Sequence, residues 1–190
     1  MDKAEAMRKT VPEVPLACTS QPSLPRALIV GYGNIDRADD GIAFEVINTL
    51  RRHQSRAPLG DEDTGLEALG TEIDTVFLSQ LTPELLETLR DYDHIIFVDA
   101  HVYPDIGTLH CRDILPEGAP SILIHHLTPE ILLAFLKALY GRDPLGHLVS
   151  LRGYDFDFHR HLSAKAKRWS KQAVQYIEQW LSAHGHGEWR

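Results

Sequence analysis

The stretch Ala27-Leu28-Ile29-Val30-Gly31-Tyr32-Gly33-Asn34, followed shortly by Asp39-Asp40-Gly41-Ile42, decides how this chain is read. An unbroken apolar run that stops at Gly31 is the pattern of a buried first strand. Gly31 and Gly33 let the backbone bend tightly, and the Asn34 side chain can tie the loop that follows. Beyond it, Ile42, Val46, Ile47 and Leu50 fall on one helical face, and Arg51 and Arg52 in the last turn suit the helix dipole. The segment is therefore a strand, a tight acidic loop and a helix.

Working outward, the pattern repeats. Apolar runs at 73–78, 94–98 and 147–151 predict three more strands, and 108–111 predicts a weaker one at an edge. Thr82-Pro83-Glu84 and Thr128-Pro129-Glu130 each predict a helix start, with Thr as N-cap, Pro at the first helical position and Glu in the first turn. Gly141 stops the second of these, and a last helix is expected over 163–181. The shared Leu-Thr-Pro-Glu wording is explained by good capping chemistry rather than by an internal repeat. Strands alternating with helices predict an α/β fold: three αβα layers, with about five mostly parallel strands covered on both faces. In such sheets ligands gather beyond the carboxyl ends of the strands.

The chain has 190 residues, of which 43% are hydrophobic and 24% charged, so one domain with a substantial core is expected. Residues 1–25 carry four prolines and read as a flexible extension, 26–183 as a single α/β domain, and 184–190, with His184 and His186, as a tail. No secretory signal or membrane-spanning run is apparent. Two cysteines, Cys18 and Cys111, make a disulfide framework improbable and point to a reducing, cytoplasmic setting. Net charge of −8 without a basic stripe argues against a nucleic-acid partner.

Three places could carry chemistry. A dinucleotide fingerprint would need a glycine at position 36, where Asp36 stands, and Asp36, Asp39 and Asp40 would repel a pyrophosphate. Asp39 and Asp40 instead offer either a helix N-cap or a metal ligand, and one can cap while the other faces the crevice. Gly41 is expected to leave the space above that pocket open. Asp99 directly follows the run Ile95-Ile96-Phe97-Val98, so it stands at the carboxyl edge of a central strand, with His101 two residues on and able to share its face. A turn or cap role for Asp99 is the plainer alternative. His125-His126 precede the helix at Thr128. Two carboxylates and an imidazole form a mixed oxygen and nitrogen set that suits Ni2+ or Zn2+ and leaves positions open. Cys111 reads as a structural thiol, and the cluster 154–159 as a wall for bound peptide.

These residues carry a resemblance. Leu28 to Asn34 with Asp39-Asp40-Gly41-Ile42, then Ile95-Ile96-Phe97-Val98-Asp99-Ala100, then His126 ahead of a helix closed by Gly141 and Pro144, together resemble the [NiFe]-hydrogenase maturation endopeptidases. The likeness spans 27–181 and implies a phosphorylase/hydrolase-like αβα fold. It also implies removal of a C-terminal peptide from the hydrogenase large-subunit precursor once nickel is in place. Nickel would be supplied by that precursor, with Zn2+ or another divalent ion able to substitute. The implied catalytic and metal-contacting residues are Asp40, Asp99 and His126, in an aspartic-type or nickel-dependent site. Gly31, Gly33, Asn34, Asp39, Gly41 and His101 are expected to contact substrate. Gln80-Leu81-Thr82-Pro83-Glu84 further resembles the branch serving bidirectional, NAD-linked hydrogenases. Ala43 stands where the family commonly has Gly, and 153–156 lacks its usual proline turn. A peptidyl-tRNA-hydrolase-like enzyme shares the Gly-x-Gly-Asn opening but needs an Arg-His-Asn segment that 35–42 lacks. A non-catalytic metal-binding chaperone would use the same ligands.

Overall fold

A computed structural model describes residues 24–115 and 127–187. The expected extension up to residue 23 and the His125-His126 pair lie outside the described residues. Five strands, β1 (Ala27–Tyr32), β2 (Ile73–Leu78), β3 (His94–His101), β4 (Leu109–Ile114) and β5 (Leu145–Arg152), form one sheet in the order β2-β1-β3-β5-β4. All neighbours pair parallel except β4, which runs antiparallel along β5 as an edge strand. Helices α1 (Ile42–His53), α2 (Leu86–Leu89), α3 (Pro129–Tyr140) and α4 (Ala164–Ala183) cover both faces.

Side chains alternate along a strand, so β1 sends Ala27 and Ile29 to one face and Leu28 and Val30 to the other. The first pair joins Ile96, Val98, Val149 and Leu151 beneath α1 and α4. The second joins Ile95, Phe97, Leu132 and Leu136 beneath α2 and α3. Burial on both faces is why β1 and β3 read as unbroken apolar runs. The chain leaves β1 for β2 on one side and returns to β3 on the other. The carboxyl ends of β1 and β3 therefore flank a topological switch point, where open α/β sheets place their sites.

The helix signals differ in outcome. Thr128 caps α3 through Oγ1, 3.5 Å from the Ile131 N–H, and Gly141 ends it in the left-handed region at φ 64°. Thr82 gives no side-chain cap; Pro83–Leu85 form a 3-10 turn that runs into the four-residue α2. Leu81, Leu85, Leu86 and Leu89 are all buried, and β3 begins soon after, so the segment serves as a short apolar anchor rather than a full helix. The first residues of the expected tail pack against the domain. His186 is 2% exposed, its N–H donates to the Leu181 carbonyl, and its ring lies 2.7 Å from His94 at the start of β3. Residues 184–187 thus close onto the amino end of the sheet, opposite the switch point.

Candidate active site at the carboxyl edge

The loop after β1 is built to hold Asp40 in place. Gly33 has φ 142°, and a Cβ there would lie 2.2 Å from the Asp40 carbonyl oxygen, so only glycine fits. The Asn34 side chain accepts from the Asp36 N–H at 2.9 Å, and the Asn34 N–H donates to Asp40 Oδ2 at 3.1 Å. Asp40 is half-buried, and no other hydrogen bond to its carboxylate is found among the described residues.

Asp39 does something different from what its position implied. It is fully buried, and neither it nor Asp40 caps a helix, since no side-chain cap bond opens the 3-10 turn at Ala38–Gly41 or α1. Its carboxylate accepts from the Tyr154 and Asp155 N–H groups at 2.9 and 3.2 Å. It also accepts from the Ser163 N–H and hydroxyl at 2.7 and 2.8 Å. Ser163 in turn caps α4, its Oγ accepting from the Ala166 N–H at 3.1 Å. Asp39 is thus a structural knot that fastens the first loop to the β5–α4 connection. The same seam includes the Ala38 N–H on the His159 carbonyl at 2.7 Å and the Asp39 N–H on the Asp155 carbonyl at 3.0 Å. Ala38 is held at φ 46°, a conformation that survives only where neighbours over-determine it.

Two glycines are corrected likewise. Gly31 lies inside β1, not in the turn, and its missing Cβ would meet Ile47 Cγ1 at 2.7 Å, so it lets α1 sit close on the sheet. A Cβ on Gly41 would lie 2.9 Å from Ile35 Cα; the glycine allows close backbone packing and leaves no open space.

Asp99 lies near the end of β3, in the strand position that sends Phe97 and Ile95 to the α3 face. Tyr32 extends β1 on the same face, one step past the Gly31–Val98 pair, and its hydroxyl lies near enough to Asp99 to favour the carboxylate. The Ala100 N–H donates to Asp99 Oδ1 at 2.7 Å. Burial pushes the Asp99 carboxyl up to about 6 against those two donors, and the Asp40 charge adds to the rise. Tyr32 is pushed far above the usual phenol range, first by burial and then by Asp99. Glu130 at the head of α3, paired with Arg112 of β4, is close enough to Tyr32 to bear on the same phenol.

Asp40 follows β1 and Asp99 lies near the end of β3, so both stand at the carboxyl edge beside the switch point, near enough for the Asp40 charge to bear on Asp99. His101 shares the face of Asp99, is 7% exposed, and stacks against Tyr103 with ring centroids 6.4 Å apart. Among the described residues no group of three His, Cys, Asp or Glu side chains converges to hold a metal ion. Cys111 packs towards α4, the other layer, and burial raises its thiol to about 11, so it is no nucleophile. A groove of ≈ 590 Å³ opens beside the first loop, lined by Gly33, Asn34, Asp36, Asp61, Glu62 and Arg160 among others. Arg160 spans it, bonded to Asp36 at 2.5 Å and to Asp61.

Tyr32 escaped the sequence reading because an aromatic inside a glycine motif looks like filler. Its spacing from Leu28 and Val30 was the available signal, once β1 is known to pair with β3.

The fold and these residues define a three-layer α/β protein with Asp40 and Asp99 at the carboxyl edge of a mostly parallel sheet. No family model and no curated protein matches the sequence. By structure the chain is similar to the hydrogenase maturating endopeptidase HybD from E. coli, at TM-score 0.62 and 20% identity over 84% of this chain and 94% of that one. It is similar to the [NiFe] hydrogenase maturation protease HycI from Thermococcus kodakarensis, at TM-score 0.55 and 21% identity over 85% of this chain and 95% of that one. A hydrogenase 2 maturation peptidase from a Thaumarchaeota archaeon gives TM-score 0.54 and 22% identity over 85% and 99%. The chain has the fold of the hydrogenase maturation endopeptidases.

Proposed function

We propose that this chain is a hydrogenase maturation endopeptidase that acts in the cytoplasm. Its substrate would be the nickel-loaded large-subunit precursor of a [NiFe]-hydrogenase, from which it removes a C-terminal peptide. The observation that carries the reading is the position of Asp40 and the buried Asp99 at the carboxyl edge of a sheet with the fold of solved hydrogenase maturation endopeptidases. Among the described residues no helix is long and apolar enough to cross a membrane.

Nickel enters this scheme as part of the substrate. Two carboxylates at one sheet edge, one of them buried, reluctant to ionise and raised further by the charge of the other, would be relieved by an arriving cation. His126 is the third ligand the reading assigns, and Zn2+ could fill the same oxygen and nitrogen set. Docking would bring the scissile carbonyl next to the cation, which polarises it, while Asp99 or Asp40 takes a proton from the attacking water. Asp99, close to its titration range at neutral pH, suits that proton transfer.

Incubating the purified protein with nickel-loaded and nickel-free precursor tests the reading. Cleavage of the loaded form alone is expected. Cleavage of both forms alike removes the nickel requirement, and cleavage of neither removes the peptidase assignment for that substrate. Asp40→Asn and Asp99→Asn should bind loaded precursor without cutting it, whereas a chaperone role predicts only lost metal handling.

A further inference from the structure

Strand register lays out the α3 face of the carboxyl edge as two rows. Asp99 pairs with Ser150, and Ser150 with His110, so these three share a face on adjacent strands about 5 Å apart. One step farther out, His101 pairs with Arg152, and the Arg152 N–H donates to the Thr108 carbonyl at 2.9 Å, which puts Thr108 in the same row. The inner row thus holds the carboxylate of the reactive centre. Donors dominate the outer row: an imidazole, a guanidinium and a hydroxyl, with the His110 imidazole beside them.

Two facts set this outer row apart. First, both ring nitrogens of His101 are buried, and among the described residues neither has a hydrogen bond of ordinary geometry, the Tyr103 backbone being the nearest polar group to act on the ring. A buried polar atom left without a partner is costly and is rare in native proteins. Second, no ion pair to Arg152 is found among the described residues; its guanidinium rests 5.3 Å from the Tyr154 ring centroid, as Lys165 Nζ does at 4.7 Å. In a chain of net charge −8, a half-buried guanidinium with no carboxylate partner among the described residues, beside such an imidazole, is a place short of an anion. The exposed Tyr103 ring, tilted only 13° from the His101 plane, covers the imidazole from outside.

We propose that His101, Arg152 and His110 form a carboxylate-recognition subsite next to Asp99. It takes either an acidic side chain of the bound polypeptide or a free chain end. Arg152 offers the paired N–H groups that match a carboxylate, and His101 donates from beneath whichever nitrogen carries its proton. Resting on the peptidase reading, this subsite fixes which side of the reactive pair the anionic part of the substrate occupies. The opposite side is the acidic groove with Asp36, Asp61 and Glu62, which rejects it.

The test uses the full chain and short Gly/Ser peptides in three forms. One has a single Glu and an amidated end, one has no Glu and a free end, and one has neither charge. Side-chain NMR signals of Arg152, His101 and His110 report binding without any cleavage. Shifts with the first or second peptide but not the third are expected, and which of the two binds identifies the source of the carboxylate. Arg152→Gln should weaken that binding about tenfold or more. Equal shifts with all three, or with none, overturn the subsite. With hydrogenase precursor, Arg152→Gln should raise KM and leave kcat near its original value. If the unaltered chain cleaves no precursor, the peptidase reading fails while the peptide experiment still decides the subsite.

Discussion

Replacing Asp39 by alanine should cost the protein about 3–5 kcal/mol of stability, although the residue sits next to Asp40, the proposed catalytic carboxylate. The figure comes from four donors left behind: three backbone N–H groups and the Ser163 hydroxyl, all aimed at a carboxylate with 0% exposure. Each buried donor without a partner costs roughly 1–3 kcal/mol, and water entering the vacated space recovers part of the sum. Asp39→Asn keeps one acceptor but turns an NH2 towards donors, so a loss of about 2–4 kcal/mol is expected. Against a total of roughly 5–15 kcal/mol, either loss is large. Urea unfolding followed through Trp169 and Trp180, both in α4, reads it directly as a lower midpoint with an unchanged slope. Asp40→Asn, which disturbs one bond to the Asn34 N–H, should lose about 1 kcal/mol or less and nearly all cleavage. Equal midpoints for the two asparagine variants would refute the division of labour between these neighbours.

Asp99→Asn should stabilise the metal-free protein while abolishing cleavage. Its folded pKa of about 6 lies above the ordinary 3.8, so burial opposes folding once the carboxyl ionises. The gain should be absent below pH about 4, grow to about 1–3 kcal/mol as pH passes 6, and then stay level, which unfolding across pH will show. At the other end of the sheet, His94, His147 and His186 are held below the usual histidine range, each first by burial. Their contribution to stability is complete above the unfolded value near 6.5 and is lost as pH falls through the folded values. His186→Gln should therefore flatten the acid limb of a melting-temperature profile, and an unchanged limb counts against the closure of the tail on His94. Gly33→Ala forces a Cβ into the Asp40 carbonyl at φ 142°, so it should abolish cleavage and lower the melting temperature; retained cleavage contradicts the loop geometry.

The αβα class, the mostly parallel sheet and the carboxyl-edge position of Asp40 and Asp99 were all legible in the sequence. They follow from local rules: apolar run length, glycine punctuation and helix capping. Thr128 and Gly141 behave as their capping chemistry dictates. Thr82 does not, because the apolar anchor around it and the nearby start of β3 leave no room for a full helix.

What only the tertiary structure decided is which neighbour of a pair does what. Asp39 and Asp40 are chemically identical in the sequence and equally plausible as cap or ligand. Asp39 is consumed by donors more than a hundred residues away in the chain, at Tyr154, Asp155 and Ser163, so Asp40 is left for the crevice. Tyr32 meets Asp99 only because β1 and β3 pair in one register, and His101 meets Arg152 for the same reason across β3 and β5. Periodicity in a sequence records what a residue is next to along the chain. Register, burial and the supply of hydrogen-bond partners are properties of the assembled sheet, and they assign the roles.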